Sequence, residues 1–275
     1  MTHFCLSVDV EEDLPGILPR GVRGLEEGLP ELFKILDEVR LRADFFFLAS
    51  VARDYPDLVR KVVRQGHGLG NHGLDHNQLC QKPIDRQRED VRRSTRILTD
   101  AGGVPPKMFR APNFSVDSAT LALLEEEGYA VDSSVLPGRI LRSGFRIVYD
   151  HRGAPTRPYY PGGNLKMPGL LMEIPVTPNP RRPGAPLGQG ALNSFGPGYL
   201  LETAKNVDSE VFVFLVHPWE LIDLASYYPS LPSGYSDFCT SDCGALRSFL
   251  TDVSKVFSAT TLNTFARTER GLSPD

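Results

Sequence analysis

Residues 43 to 76 read ADFFFLASVARDYPDLVRKVVRQGHGLGNHGLDH and contain two strands separated by a helix. The first strand, Ala43 to Ala49, is apolar on both faces, which is typical of a strand covered by helices on either side. The helix runs from Pro56 to about Arg64 and ends at Gly66, because glycine accommodates the backbone that terminates a helix. The second strand covers Gly68 to Asn71. A strand, a helix and a strand in this order predict two parallel neighbouring strands.

The same alternation extends on both sides of this unit. Phe4 to Val10 forms an apolar strand, and Leu29 to Val39 carries apolar residues at helical spacing. Further along we predict, in order, a helix over Ile84 to Thr99, a strand over Lys107 to Ala111, a helix over Ser118 to Glu127, strands over Val131 to Val135 and Met172 to Val176, a helix over Tyr199 to Lys205, a strand over Val211 to Val216 and a helix over Ala245 to Phe257. The repeated step predicts an α/β barrel or a doubly wound parallel sheet.

The size of the chain sets the expected domain organisation. With 275 residues it can bury a core without disulfides, and barrel folds of this size are often one domain. We therefore expect residues 1–275 to form a single domain. Residues 137–198 are rich in proline and glycine, and we expect long loops there that line a substrate groove. A bare linker is the competing interpretation, and the apolar segments within this region argue against it.

Composition excludes several classes of function. The net charge is −4 with acids and bases interspersed, so no basic stripe points to a nucleic-acid partner. No apolar run of ~18 residues could span a bilayer, and the N-terminus lacks the pattern of a signal peptide. We therefore expect a cytoplasmic protein, with a peripheral position at a membrane left open. The four cysteines are too few for a disulfide scaffold, and we expect reduced thiols.

Two acidic residues mark the end of the first predicted strand. Asp9 and Glu11 are two positions apart, so they point to the same side, at the carboxyl end where α/β folds place their active sites. Two carboxylates on one face are costly unless a cation or protons offset their charge. A solvated acidic turn is the other interpretation, and this pair alone does not exclude it.

A pair of histidines follows the strand that ends at Asn71. His72 and His76 are four positions apart, which places both imidazoles on one helical face or lets them converge across a tight bend. Two histidines and one carboxylate leave coordination positions free for water and substrate, as a catalytic metal ion requires. Such a pair is weak evidence by itself, and its position after a buried strand strengthens it.

Three further polar residues end predicted strands. Arg110 could orient a carboxylate base and hold it in its ionised form, or it could form a surface ion pair. Asp132 could hydrogen-bond a catalytic histidine, or it could cap a loop. His217 emerges from a strongly apolar strand, where an imidazole can protonate a leaving amine. Trp219, the single tryptophan, could wall a sugar site or pack in the core.

Taken in order, the five clusters resemble the motifs of the polysaccharide deacetylase family, the NodB-homology or family-four carbohydrate esterases. Those motifs are an Asp-Asp pair, His-Ser/Thr-x-x-His, Arg-x-Pro-aromatic, a distal Asp and Leu-x-His. Here they read Asp9-Val-Glu11, His72-Gly-Leu-Asp-His76, Arg110-Ala-Pro-Asn-Phe114, Asp132-Ser-Ser134 and Leu215-Val-His217. The similarity spans residues 4 to 220 and is strongest to the intracellular branch, which has a Val-Asp-Val-Glu/Asp opening and a late His-Pro-Trp.

The resemblance implies a fold and a metal site. The fold is α/β, a distorted (β/α)7-type barrel. Glu11, His72 and His76 would bind a divalent metal ion, with zinc expected.

The resemblance also implies catalytic roles. Asp9 would be the base, oriented by Arg110. His217 would be the general acid, tuned by Asp132, and the backbone N–H of Asn113 would help the metal hold the oxyanion.

The chain departs from the family pattern at three positions. The second acid is usually adjacent to the base, whereas Glu11 lies two residues after it; Glu12 should face away. Gly73 replaces the usual Ser/Thr. Asn113 stands where the family has an aromatic residue, and Phe114 follows one place later.

The implied reaction is hydrolysis of an N-acyl group, with N-acetyl expected, from an amino sugar in a polysaccharide, a glycolipid or a precursor. One alternative within the fold is a deformylase of a lipid-linked formamido sugar. Another is an amidase that acts on a non-sugar amide or a cyclic ureide. A non-catalytic carbohydrate-binding relative would also keep the barrel, but it would lose ligands or the acid, and all five motif positions are filled here.

Overall fold

A parallel sheet forms the centre of the protein. The computed structural model describes residues 2–162, 170–236, 238–239 and 242–273. The strands are β1 (His3–Val10), β2 (Asp44–Phe47), β3 (Gly68–Asn71), β4 (Met108–Phe109), β5 (Val131–Asp132), β6 (Ile140–Ser143), β7 (Arg146–Asp150), β8 (Met172–Glu173), β9 (Val211–Val216) and β10 (Ser258–Ala259). The main sheet has the order β9-β1-β2-β3-β4-β5-β8, with every pair parallel, and β10 pairs with the start of β1.

Helices surround this sheet. They are α1 (Leu29–Val39), α2 (Ala49–Asp54), α3 (Pro56–Arg64), α4 (Ile84–Gly102), α5 (Ser118–Glu126), α6 (Gln189–Lys205), α7 (Leu224–Tyr227), α8 (Ser233–Ser236), α9 (Gly244–Val256) and α10 (Leu262–Glu269). Short turns of π-helix (Gly24–Gly28) and 3-10 helix (Leu79–Gln81, Pro112–Phe114 and Pro218–Leu221) lie between them. In the described part of the chain, none of the helices is both long and apolar enough to cross a membrane.

The sheet curls into a half-barrel, which confirms the predicted α/β barrel class. Strands β8 and β9 lie at its two ends, and no ladder joins them among the described residues. Between them, the Thr177 hydroxyl accepts a hydrogen bond from the N–H of Val213 at 3.0 Å. A loop therefore lines the gap where a closed barrel would have paired strands.

The alternation of side chains along β2 divides the core into two layers. Phe45 and Phe47 pack outwards among the helices, and Phe46 packs into the interior of the half-barrel. All three are fully buried, and burying such a side chain contributes roughly 1.5–3 kcal/mol. The sheet is therefore covered on both faces, as the long apolar runs in the sequence predict.

The region 137–198 contains more regular structure than we predicted. Strands β6 and β7 form an antiparallel hairpin, and α6 begins at Gln189, ten residues before the predicted start at Tyr199. Gly196, at φ +78°, and Pro197 interrupt the helical pattern, so the sequence does not indicate the first half of α6. Residues 163–169 of the predicted loop region lie outside the described residues.

Candidate metal centre and active site

The predicted site residues converge at the carboxyl ends of the parallel strands, where a cavity of about 530 Å³ opens. Six of the eight residues singled out from the sequence line it: Asp9, Glu11, His72, His76, Asn113 and His217. The other two, Arg110 and Asp132, are fully buried behind its wall. Register explains this arrangement, because parallel strands end at the same edge of the sheet.

Glu11, His72 and His76 form a cluster that could hold a metal ion. Each offers one ligand atom, and these atoms all lie within 4.8 Å of one another. Oε2 of Glu11 lies 3.4 Å from Nε2 of His72 and 3.0 Å from Nε2 of His76. That oxygen is buried and has no hydrogen-bond partner. An orphaned buried carboxylate oxygen facing two imidazole nitrogens is the arrangement that a divalent cation satisfies.

The outer nitrogen of His72 is held in a way that favours metal binding, and that of His76 lies beside an amide side chain. Nδ1 of His72 lies 2.7 Å from the carbonyl oxygen of Arg110, so it carries the proton and leaves Nε2 free as a ligand. The side-chain amide of Asn113 lies 3.4 Å from Nδ1 of His76. A half-turn of that amide presents its oxygen to an Nδ1–H, which again leaves Nε2 free. The donor set therefore fits a metal ion.

The charge of Glu11 shapes the electrostatics of the cluster. Burial favours the neutral carboxyl, but the imidazoles of His76 and His72 outweigh it and hold the pKa of Glu11 well below its usual range. Burial favours the neutral imidazole of His76, yet the Glu11 carboxylate raises the pKa of that histidine. Glu12 takes no part, because its carboxylate accepts a hydrogen bond from Arg20 at 3.0 Å, as its predicted outward orientation requires.

A buried ion pair fixes Asp9 beside this cluster. Nη1 of Arg110 donates to Oδ1 of Asp9 at 2.8 Å and to Ser7 Oγ at 3.0 Å, while Nε and Nη2 bond Ser133. The guanidinium also lies 4.4 Å from the ring centroid of Phe46. With one oxygen held by Arg110, Asp9 presents the other, Oδ2, to the cavity, 3.8 Å from Nε2 of His72.

His217 faces the same space from the end of β9. Its Nε2 lies 3.9 Å from Oδ2 of Asp9, and its ring stacks on Trp219 with centroids 4.8 Å apart. Nδ1 lies 3.2 Å from Oε2 of Glu220, which also accepts the backbone N–H of His217 at 2.7 Å. Burial favours the neutral imidazole, but Glu220, and then Glu11 and Asp9, raise the pKa of His217 to about 9. The histidine is therefore held in its protonated form.

The role expected of Asp132, tuning His217, stays a prediction, and in this structure Glu220 is the carboxylate that contacts Nδ1 of His217. Asp132 accepts hydrogen bonds from the backbone N–H and the hydroxyl of Ser134, at 3.1 and 2.7 Å. It is also paired with Glu173 of β8, whose pKa is raised well above its usual range by burial and by the charge of Asp132. Asp132 belongs to a buried network behind the cavity, and none of its described hydrogen bonds reaches the imidazole of His217.

Sequence reasoning missed the roles of two acids. Glu220 carried a local signal, since an acid three residues after a helix-start residue is the pattern of a capping box, and the structure forms one. Glu173 carried no such signal, because it reaches Asp132 only through the pairing of two strands distant in the chain. Trp219 combines both predicted possibilities: it is buried, it lines the cavity, and its Nε1 donates to Oε1 of Glu11 at 3.3 Å.

Two departures from the family pattern have a structural basis. Gly73 adopts φ +87°, a left-handed conformation that Ser or Thr rarely adopts, and its N–H donates to Oδ1 of Asn71 at 2.8 Å. Asn113 also has a positive φ, +55°, which asparagine tolerates better than an aromatic residue.

Comparison with known proteins matches the part of the chain that contains two of the five motifs. Residues 19–131 match the family model described as polysaccharide deacetylase. That match includes His72, His76, Arg110 and Asn113, begins after Glu11 and ends just before Asp132.

Curated relatives agree with the family model. A chitooligosaccharide deacetylase from Sinorhizobium fredii is 32% identical over 133 residues, covering 47% of this chain and 61% of the relative. A peptidoglycan-N-acetylglucosamine deacetylase from Bacillus cereus is 29% identical over 101 residues, covering 36% and 37%. The chain thus spans from about a third to three fifths of the length of these two relatives.

Solved structures extend the similarity of fold to the whole chain. PuuE allantoinase superposes with a TM-score of 0.70 at 15% identity, covering 100% of this chain and 92% of that one. A peptidoglycan N-acetylglucosamine deacetylase gives 0.58 at 16% identity, covering 99% and 90%. A CE4-family pseudoenzyme from Bacillus anthracis also gives 0.58, at 13% identity, covering 96% and 65%.

These structural similarities, all at low identity, show a shared fold. The family model, the curated relatives and the order of the motifs along the chain go further and agree with one another. Residues 19–131 of the chain are thus similar to the polysaccharide deacetylase family.

Proposed function

We propose that this protein is a metal-dependent hydrolase that removes an acetyl group from the nitrogen of an amino sugar. The observation that carries the proposal is the orphaned Oε2 of Glu11, which faces two imidazoles and lies near Asp9 and His217. The curated relatives named as deacetylases of N-acetylated sugars support the choice of substrate class.

Glu11, His72 and His76 would hold the metal, and two histidines with one carboxylate are a donor set typical of catalytic zinc. Bound there, zinc would polarise the acyl carbonyl and lower the pKa of water toward ~7. The residues around it then supply proton transfer and orientation.

Asp9 is the proposed base. Arg110 holds one carboxylate oxygen and stabilises the ionised form, so the other oxygen is free to accept a proton from the attacking water. His217 is the proposed acid, and it would donate its proton to the leaving amine. Its Nε2 lies 3.9 Å from Asp9, so base and acid face one another across the position of the reacting group. The backbone N–H of Asn113 would donate to the oxyanion.

Asp132 receives a different role from the one implied by the family. The Ser134 hydroxyl that it fixes accepts the N–H of Ala111 at 2.8 Å, and Ala111 directly follows Arg110. Asp132 would therefore support the backbone that carries the buried guanidinium. Glu220 takes over the contact with His217.

The first experiment is purification with metal analysis, followed by a screen of N-acetyl and N-formyl sugars, free and lipid-linked, for released acetate or formate. Asp9→Asn and His217→Ala should each lower kcat by about 10²–10⁴-fold and keep the metal, because each removes one proton-transfer group. Glu11→Gln should lose the metal.

Glu12→Gln is the matched control, since the neighbouring carboxylate pairs with Arg20 outside the cluster. It should keep both metal and activity. Wild-type rates in Asp9→Asn or His217→Ala would contradict the assigned roles. Acetate and formate absent from every sugar tested would contradict the function.

A further inference from the structure

The cavity wall carries positive charge that no carboxylate offsets. Three acids line the cavity, and each is engaged: Asp9 by Arg110, Glu11 by the histidines, and Glu220 by His217. Arg139 and Arg182 also line the cavity. Neither forms an ion pair with a carboxylate in the described part of the chain.

Arg139 is anchored close to the metal cluster. Its Nε donates to the Tyr149 hydroxyl at 2.9 Å and its Nη1 donates to the carbonyl of Gly184 at 3.0 Å. The guanidinium also lies 5.3 Å from the ring centroid of Phe114. The same Tyr149 hydroxyl donates to the carbonyl of Asn113, whose side chain touches His76. Neutral groups thus hold Arg139 in the wall of the cavity, and none of the described carboxylates compensates its charge.

Arg182 also lines the cavity, from the loop that contains Gly184. It is exposed, and its guanidinium lies 4.8 Å from the ring centroid of Phe238, which also lines the cavity. Its neighbour Arg181 lies 4.4 Å from the ring centroid of Tyr199 and 5.7 Å from that of Phe195. Arginines on aromatic rings are stiffened without losing their charge.

Some surface arginines are paired, and Arg20, Arg88, Arg152 and Arg247 each bond a carboxylate at 3.0 Å or less. Arg139 and Arg182 differ from these because they lack such a partner among the described residues and both line the cavity. Two unpaired guanidinium groups facing one cavity create a local field that attracts an anion. The planar fork of arginine matches phosphate and carboxylate groups in particular.

We propose that Arg139 and Arg182 bind an anionic group, a phosphate or a carboxylate, carried by the N-acylated sugar. The inference rests on the proposed function and narrows its substrate class to acidic amino sugars. These arginines determine specificity and take no part in proton transfer.

The test compares one neutral and two anionic substrates: N-acetylglucosamine, its 1-phosphate, and N-acetylmuramic acid, which carries a carboxylate. Arg182→Gln is the main variant, because the side chain is exposed and its removal leaves the fold intact. We expect kcat/KM for an anionic sugar to fall about two- to fivefold, the size of one exposed ion pair, with the neutral sugar unchanged. The preference should weaken with added salt.

Arg86→Gln is the matched control, since Arg86 is an exposed arginine on α4, outside the cavity lining, and it pairs with Glu89. It should leave all three substrates unaffected. Arg139→Gln should reduce the preference further, and a thermal melt separates that effect from a loss of the hairpin. Preference for the phosphate over the carboxylate, or the reverse, identifies the anion.

The failure of this inference is distinguishable from the failure of the function. Hydrolysis of neutral and anionic sugars at equal kcat/KM overturns the inference and leaves the deacetylase intact. If none of the three is hydrolysed, calorimetric titration of metal-loaded Asp9→Asn with the 1-phosphate still decides the matter. Weaker binding when Arg182→Gln is added supports the anion site, and equal binding with and without it overturns the site.

Discussion

Glu220→Gln should lower the pKa of His217 and move the alkaline limit of catalysis to lower pH. The carboxylate of Glu220 lies 3.2 Å from Nδ1 and accepts the backbone N–H at 2.7 Å. Glutamine has the same size and keeps an oxygen acceptor for that N–H, so the helix start is preserved. The substitution therefore removes a charge and little else.

The size of the shift follows from the distance. At 3.2 Å, an effective dielectric constant of about 20 gives an attraction of about 5 kcal/mol between full charges. The imidazole side chain is 20% exposed, and solvent screening reduces this to about 1 to 3 pKa units. A bound cation offsets the charges of Glu11 and Asp9, whereas Glu220 lies outside the ligand cluster and keeps its effect.

The sign is fixed by the role of the group. An acid catalyst must carry its proton, so activity falls as the pH rises through the pKa of His217, which the carboxylate of Glu220 raises above its usual value. A lower pKa brings that fall to lower pH. Activity of the variant at pH 6 should stay near that of the wild type, and activity at pH 8.5 should be clearly reduced.

Two measurements check this prediction. The first is kcat against pH for the wild type, Glu220→Gln and the control Glu89→Gln, which removes an exposed carboxylate on α4. The second is an NMR titration of His217 in metal-free protein, where only six histidines contribute signals. An alkaline limb in the same place for wild type and Glu220→Gln would refute the reasoning. So would an equal shift in the control.

Two further predictions concern stability. Asp44 is fully buried, and burial raises its pKa to about 7 although the N–H of Leu262 donates to it. The folded state holds that proton more tightly than the unfolded state. The free energy of unfolding should therefore fall, by up to about 1.4 kcal/mol per pH unit, as the pH rises from 4 to 7. Asp44→Asn should flatten this slope in urea unfolding. Arg110→Met should cost about 3–5 kcal/mol, because it leaves the carboxylate of Asp9 buried without its partner. Adding Asp9→Asn should restore part of that loss, and a double variant no more stable than Arg110→Met would contradict the pairing.

Local patterns explain which parts of the fold were predictable. Helices α1 and α3 and strands β3 and β9 have the predicted bounds, because apolar spacing and end signals such as Pro56 and Gly66 act within a few residues. The start of α6 was missed because the kink at Gly196 interrupts the pattern. Strand β10 and helix α10 were missed because their fit depends on the partner strand β1 and on the buried Asp44.

The same distinction holds at the site. Each strand end could be predicted to meet the others, since parallel strands share an edge, and the placement of Glu11 with His72 and His76 followed from that. The contact partner of each residue at that edge could not be predicted, because it depends on how far each side chain extends into the cavity. Asp132 is the last residue of β5, and Glu220 follows the end of β9 by four residues, so both lie near strand ends. Only the three-dimensional structure shows that Glu220 contacts His217.

Charge balance gives these contacts a common cause. Asp9 and Glu11 bring two negative charges into a buried space, and Arg110 supplies one fixed positive charge. One negative charge remains, and burying it without compensation is costly. In the protein without metal the histidines compensate, so the pKa of His76 is raised and that of Glu11 is lowered, and the same charge adds to the effect of Glu220 on the pKa of His217. A divalent cation would compensate the same charge and must compete with those protons. The electrostatics of the cluster and its suitability for a metal are therefore one property of the sequence.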